Sequence, residues 1–175
     1  GNISLKNLEN CINSDLANNY GNLCQRIFSF VKNNCNNNVV KTKKLSESDN
    51  KLKKSSKELE KNLRDEMNNQ NLNNYIKSVI NISSLTNKYI NDEEPWKLKN
   101  SNRKKMNNIL HIALELIGIV SILLNPIIPL STSKVLDALN IENDSRDLSL
   151  LRGINILPDK IKIKKLDILF NKINS

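Results

Sequence analysis

Two groups of residues in this 175-residue chain carry types and spacings with chemical meaning. The first is Asn22 and Arg26, within the run Asn22-Leu23-Cys24-Gln25-Arg26. Four residues apart on a helix, they project from one face. With Leu23, Ile27 and Phe30 turned to a core, that pair falls to the side or outside. An amide and a guanidinium together can read a base edge. Cytosine presents two acceptors, O2 and N3, and one donor at N4. Arg supplies donors only, and Asn supplies both kinds. Uracil places a donor at N3, where an Arg would lose a bond. The plainer reading is a helix face solvated by two polar side chains.

The second group is Trp96, the lone tryptophan, and the cations that follow it: Lys97, Lys99, Arg103, Lys104 and Lys105. No acid interrupts that run. Unpaired bases are held by an aromatic ring that stacks and by cations that meet phosphate. The alternative is that Trp96 packs its face on a bundle.

Catalytic inventory is thin. His111 is the single histidine and sits in the most apolar segment, where a core role is expected. No serine occupies a nucleophile elbow, and no glycine-rich phosphate loop is present. Glu93 and Glu94 read as caps on exposed backbone beside Pro95. Cys11, Cys24 and Cys35 are odd in number and lack zinc-knuckle spacing, so reduced thiols in a cytoplasmic protein are expected, with no metal site.

Positioning these residues falls to helices. Aromatics make up 4% of the chain, and Gly and Pro number four each, while Leu, Ile, Lys, Asn and Glu run long. Strands and their turns need the opposite. An all-α fold follows. The capping residue Ser4 marks a weak first helix. The Asn13-Ser14-Asp15 cluster starts another that runs to about Lys32, with Leu16, Tyr20, Leu23, Ile27, Phe30 and Val31 as its apolar face. Residues 33–38 read as an Asn-rich break. The polar segment 41–57 begins as loop. Further helices are expected at about 49–68, 72–91, 101–124 and 131–139, with Pro95 stopping regular structure before Trp96. The helix through Leu124 is apolar around much of its circumference, which fits a central bundle position better than a membrane span. Residues 161–164 alternate briefly, and 166–170 form an apolar anchor. The expected division is a bundle over 1–140 and a tail over 141–175.

The net charge of +9 favours phosphate-bearing partners, although a genome biased to Lys and Asn would raise it too. No secretory leader is visible at Gly1-Asn2-Ile3-Ser4, and there is no initiator Met, as expected of a fragment or a processed chain.

The order of motifs resembles the C-terminal anticodon-binding domain of bacterial methionyl-tRNA synthetases. Asn13-Ser14-Asp15-Leu16-Ala17-Asn18 and then Gly21-Asn22-Leu23-Cys24-Gln25-Arg26 are similar to the start of that domain. Asn87-Lys88-Tyr89 followed by Pro95-Trp96-Lys97-Leu98 resembles its N-x-Y and P-W-x-L elements. Leu124-Asn125-Pro126-Ile127-Ile128-Pro129 resembles its L-x-P-x-x-P stretch, leading into Ser133-Lys134-Val135. Leu169-Phe170-Asn171-Lys172-Ile173 looks like the ending L-F-P-R-I, with Asn and Lys in place of Pro and Arg. Residues 33–71 match nothing specific in it.

The resemblance implies a class I synthetase helical bundle that binds methionine tRNA through its CAU anticodon. It implies that Asn22 and Arg26 contact the first anticodon base and that Trp96 stacks on anticodon bases. It further implies that the parent protein is a methionine–tRNA ligase using ATP with Mg in a catalytic domain upstream. The H-x-G-H and K-M-S-K-S motifs of that domain have no counterpart here, so this chain is not expected to activate methionine alone. A monomer is expected, since no dimerising OB-fold extension follows. The tail then packs back on the bundle or toward the catalytic domain. Two rival readings are the anticodon bundle of another class I synthetase and a basic helical interaction module with no RNA role.

Overall fold

The computed structural model describes Ser14 and residues 16–42, 45–68, 72–147 and 155–170, with the backbone alone at 60 and 64–68. The expected helix near Ser4, the capping residues Asn13 and Asp15, Cys11, and residues 171–173 lie outside the described residues. Among those described, five α-helices pack into a bundle. They are α1 (Asn22–Cys35), α2 (Glu47–Asn68), α3 (Leu72–Glu93), α4 (Arg103–Leu124) and α5 (Pro129–Ala138). A π-helical turn, Leu16–Gly21, runs directly into α1. Short 3-10 turns sit at Pro95–Lys97 and Asn143–Ser145.

α4 is the axis of the bundle. Met106 and every residue from Asn108 to Leu124 are buried, and α1, α3 and α5 all pack on it. A helix apolar on all sides has no solvent face to offer, so its neighbours must surround it. By composition alone α4 is long and apolar enough to cross a membrane, yet the bundle buries 94% of that stretch. Asn102 caps its start, with Oδ1 accepting from the Lys105 N–H at 3.1 Å.

Helix ends follow side-chain chemistry. α2 starts two residues before the expected Asp49, because Ser46 is its cap. Ser46 Oγ accepts from the Asp49 N–H at 3.2 Å, and Asp49 Oδ2 accepts from the Ser46 N–H at 2.9 Å. This reciprocal pair is a capping box. Tyr89 on α3 donates its hydroxyl to the other Asp49 oxygen, so the cap also ties α2 to α3. α1 continues to Cys35, three residues past the expected end. Asn36 and Asn37 then adopt φ of 50° and 63°, a left-handed conformation that Asn tolerates better than most residues.

That turn launches a feature absent from the sequence reading. The expected break at 33–38 ends in a strand, β1 (Asn38–Val40), antiparallel to β2 (Lys160–Lys162), with Val39 opposite Ile161. Both central residues are buried against the bundle. Residues 155–170 therefore lie on the helices. Ile163 N–H donates to Asn37 O at 2.8 Å, and Lys164 N–H donates to Ala138 O at 2.9 Å. Gly118 on α4 makes room for Ile156, whose Cδ1 would sit 2.7 Å from any Cβ there. Deeper still, His111 and Glu115 are fully buried on α4. His111 Nε2 donates to Pro158 O at 2.8 Å, since a carbonyl can only accept, and Glu115 Oε2 accepts from the Ile156 N–H at 3.1 Å. Nδ1 and Oε1 of this pair lie 3.0 Å apart, with no other partner among the described residues. His111 is a structural tie between α4 and the chain that crosses it.

Candidate nucleic-acid interface

α3 and α4 are antiparallel, and the 3-10 turn between them closes one end of the bundle. α3 ends where Glu94 turns left-handed, at φ 49°, with its N–H on Ile90 O at 3.0 Å. Pro95 then fixes the first residue of the turn and is itself buried, so Trp96 is thrust outward. Trp96 is 42% exposed. It is neither a core side chain nor a free one, for the Arg26 guanidinium carbon sits 5.2 Å from its ring centroid. At this distance a guanidinium is held by the ring's quadrupole.

Arg26 and Asn22 are both exposed and lie one turn apart on α1. The residues between and after them that face inward are Leu23, Cys24, Ile27 and Phe28, while Phe30, expected in the core, is half-buried. Leu23, Ile27 and Val31 are buried as expected, and Phe30 lies at the edge of that face, packed against the core while partly exposed. Asn22 Nδ2 donates to Asn18 O at 2.9 Å, across that turn. Its Oδ1 is left free to accept from a ligand. Asn22, Arg26 and Trp96 thus form one exposed patch of donors, an acceptor and an aromatic face.

The cations divide into two kinds. Lys97 pairs with Glu94 at 3.0 Å and Lys105 with Glu93 at 3.7 Å. The two glutamates, read from sequence as backbone caps, instead balance lysines, and Glu93 also accepts from Ser48 Oγ at 2.5 Å. Arg103 donates to Asn34 O at 3.0 Å, which joins the start of α4 to the end of α1. Lys99 and Lys104 are exposed and hold no ion pair among the described residues. Burial pushes the Cys35 thiol up, while nearby Arg103 and Lys99 pull it down, so both cations lie beside the end of α1. Cys24 and Cys35 are free and buried, and burial lifts Cys24 far above its usual value, so it is inert packing. No cluster of three His, Cys, Asp or Glu side chains that could hold a metal occurs among the described residues.

The chain as a whole is similar to known proteins. A family model described as the anticodon binding domain of methionyl tRNA ligase matches residues 39–175. The methionine–tRNA ligase of Rickettsia conorii is 35% identical over 178 residues, covering 95% of this chain and 35% of that protein. The coverage leaves too few residues out to exclude Asn22 or Arg26, which precede the family-model match. The Rhizobium meliloti methionine–tRNA ligase is 33% identical over 149 residues, covering 85% of this chain and 29% of that protein. The apo crystal structure of Mycobacterium tuberculosis methionyl-tRNA synthetase shares the fold, with a TM-score of 0.82 at 24% identity, over 94% of this chain and 34% of that one. The same enzyme bound by methionyl-adenylate gives a TM-score of 0.75 at 26% identity, over 89% of this chain and 32% of that one. The chain spans about a third of the length of the curated relatives it matches.

Proposed function

Since the chain belongs to the family of methionyl-tRNA ligase anticodon-binding domains, we propose that it reads the CAU anticodon of methionine tRNA with Asn22, Arg26 and Trp96. The observation that carries this reading is Arg26 stacked over a half-exposed Trp96, with Asn22 one helical turn away. The ring restricts the guanidinium before RNA arrives, so less side-chain freedom is lost on binding. Arg26 offers donors to O2 and N3 of the first anticodon cytosine, and Asn22 Oδ1 accepts from N4. Trp96 supplies a stacking surface for an unpaired base. Lys99 and Lys104, being unpaired, meet phosphate first. Lys97, Arg103 and Lys105 add to the field once they leave their present partners.

The rest of the reading concerns the longer protein. Its remaining two-thirds carry ATP with Mg and methionine, and the whole attaches methionine to tRNA in the cytoplasm as a monomer.

The test is binding of labelled anticodon hairpins to the 175-residue chain. CAU is expected to bind tighter than UAU and tighter than anticodons of other class I synthetases. Equal affinity for all hairpins leaves a basic module without base recognition, and preference for another anticodon moves the chain to a sister synthetase.

A further inference from the structure

Asn22 and Arg26 belong to α1, whereas Trp96 follows α3. Something must hold these two elements in register for a guanidinium to rest on a ring. α3 packs against the π turn that precedes α1, and one side chain bonds across that contact. Asn19 Oδ1 accepts from Ser83 Oγ at 2.7 Å and from Asn87 Nδ2 at 3.2 Å. Asn19 Nδ2 donates to Ser84 Oγ at 2.7 Å. Three partners on one face of α3 therefore converge on a single half-buried amide.

The π turn is what delivers Asn19 to this place. Its neighbours Leu16, Tyr20 and Gly21 are buried toward the core, with Tyr20 hydroxyl and Ser121 Oγ 2.5 Å apart on the α4 side. An extra residue in the turn lets Asn19 face α3 while Asn22, three residues on, stays in solvent. π turns recur at functional sites for this kind of reorientation.

We infer that Asn19 is a positioning residue for base recognition, fixing α3 against the π turn so that Arg26 meets Trp96. This inference rests on the anticodon reading for its purpose, but its geometry can be tested without RNA. Losing the amide lets α3 slide or rotate against α1, and the Arg26–Trp96 stack opens. The fold need not be lost, because α3 and α1 each pack independently on α4.

Trp96 is the lone tryptophan, so its fluorescence reports on the stack directly. The experiment compares acrylamide quenching and thermal melting for the full chain, Arg26→Ala, Asn19→Ala and Asn19→Asp, together with CAU and UAU hairpin affinities. Asn19→Ala is expected to raise quenching toward the Arg26→Ala level and to cut the CAU-over-UAU ratio about fivefold, a small base-contact loss. Asn19→Asp is expected to keep both at parent values, since its second oxygen accepts from a rotated Ser84 hydroxyl. Quenching of Asn19→Ala at the parent level overturns the inference, whatever the hairpins do. A rise that tracks the unfolded fraction alone overturns it too, and Ser84→Ala with Asn87→Ala serves as a milder second variant for that comparison. A parent that does not distinguish CAU from UAU defeats the anticodon reading, and the quenching arm still decides the role of Asn19.

Discussion

The Arg26 guanidinium lies over the Trp96 ring, its carbon 5.2 Å from the centroid, although the two residues sit on different helical elements. This contact makes the aromatic face and α1 one unit. Trp96→Ala is expected to weaken CAU hairpin binding by about 1–3 kcal/mol per stacked base. The fold is expected to survive, because Trp96 is 42% exposed. Thermal melting alongside the binding isotherm separates the two effects. A large drop in melting temperature with affinity following it counts against a stacking role.

Arg26→Ala and Lys104→Ala are expected to differ in kind. Losing a base contact narrows discrimination by about 1–3 kcal/mol, whereas a phosphate cation carries no sequence information. Lys104→Ala is expected to weaken CAU and UAU hairpins alike and to flatten the salt dependence of binding. Arg26→Ala is expected to bring the two hairpins together. Titrations of each variant at two salt concentrations make the comparison. Equal losses on both hairpins for Arg26→Ala assign it to phosphate.

Asp49 is buried although charged residues seldom are, and it serves two elements at once. It closes the capping box with Ser46 and receives the Tyr89 hydroxyl. Asp49→Ala removes the cap and leaves a buried hydroxyl without its partner. The expected loss is about 2–3 kcal/mol, read as a shift in the urea midpoint at unchanged slope. A shift within experimental error shows that Ser46 alone suffices.

Alkaline pH is expected to unfold the domain early. Burial pushes the Tyr75 hydroxyl up to about 12, and it raises Tyr20 and Tyr89 well above their usual value. The folded state keeps these phenols neutral, while the unfolded chain ionises them near pH 10. Their contribution is complete below that pH and is lost as pH climbs toward the folded values. The slope is about 1.4 kcal/mol per pH unit for each such tyrosine. Urea midpoints at pH 8, 9, 10 and 11 measure it. Tyr75→Phe is expected to make the slope shallower, although it also gives up the hydroxyl bond to Leu123 O at 2.5 Å. A midpoint constant to pH 11 shows that these phenols titrate alike in both states.

What could be read from sequence depended on the range of the interaction. The burial of α4 was legible because its apolar residues run through every helical position. The shared face of Asn22 and Arg26 followed from their spacing. The same periodic logic placed Leu23, Ile27 and Val31 in the core, and it overstated Phe30, which sits at the edge of the apolar face and is only partly buried. The start of α2 was off by two residues because Asp49 was taken as its beginning rather than as the third residue of a box capped by Ser46. β1 was not legible at all. Three residues among asparagines carry no alternation, and its partner lies far along the chain. Arg26 over Trp96, Glu93 with Lys105, and Asn19 on α3 are likewise contacts that only the packed helices create.

The pairing of β1 with β2 sets an order of events at the ribosome. Val39 and Ile161 are about 120 residues apart, and at ordinary synthesis rates that interval lasts several seconds or more. Throughout it, the helices can collapse on α4, but the β1 edge has no mate and the buried Glu115 has no Ile156 N–H to receive. An open strand edge and an unsatisfied carboxyl are both liabilities in a nascent chain. Residues 155–163 relieve the two together when they emerge, so the domain closes in one late step. A chain stalled before that point holds most of its helices and still presents a sticky edge to every neighbour.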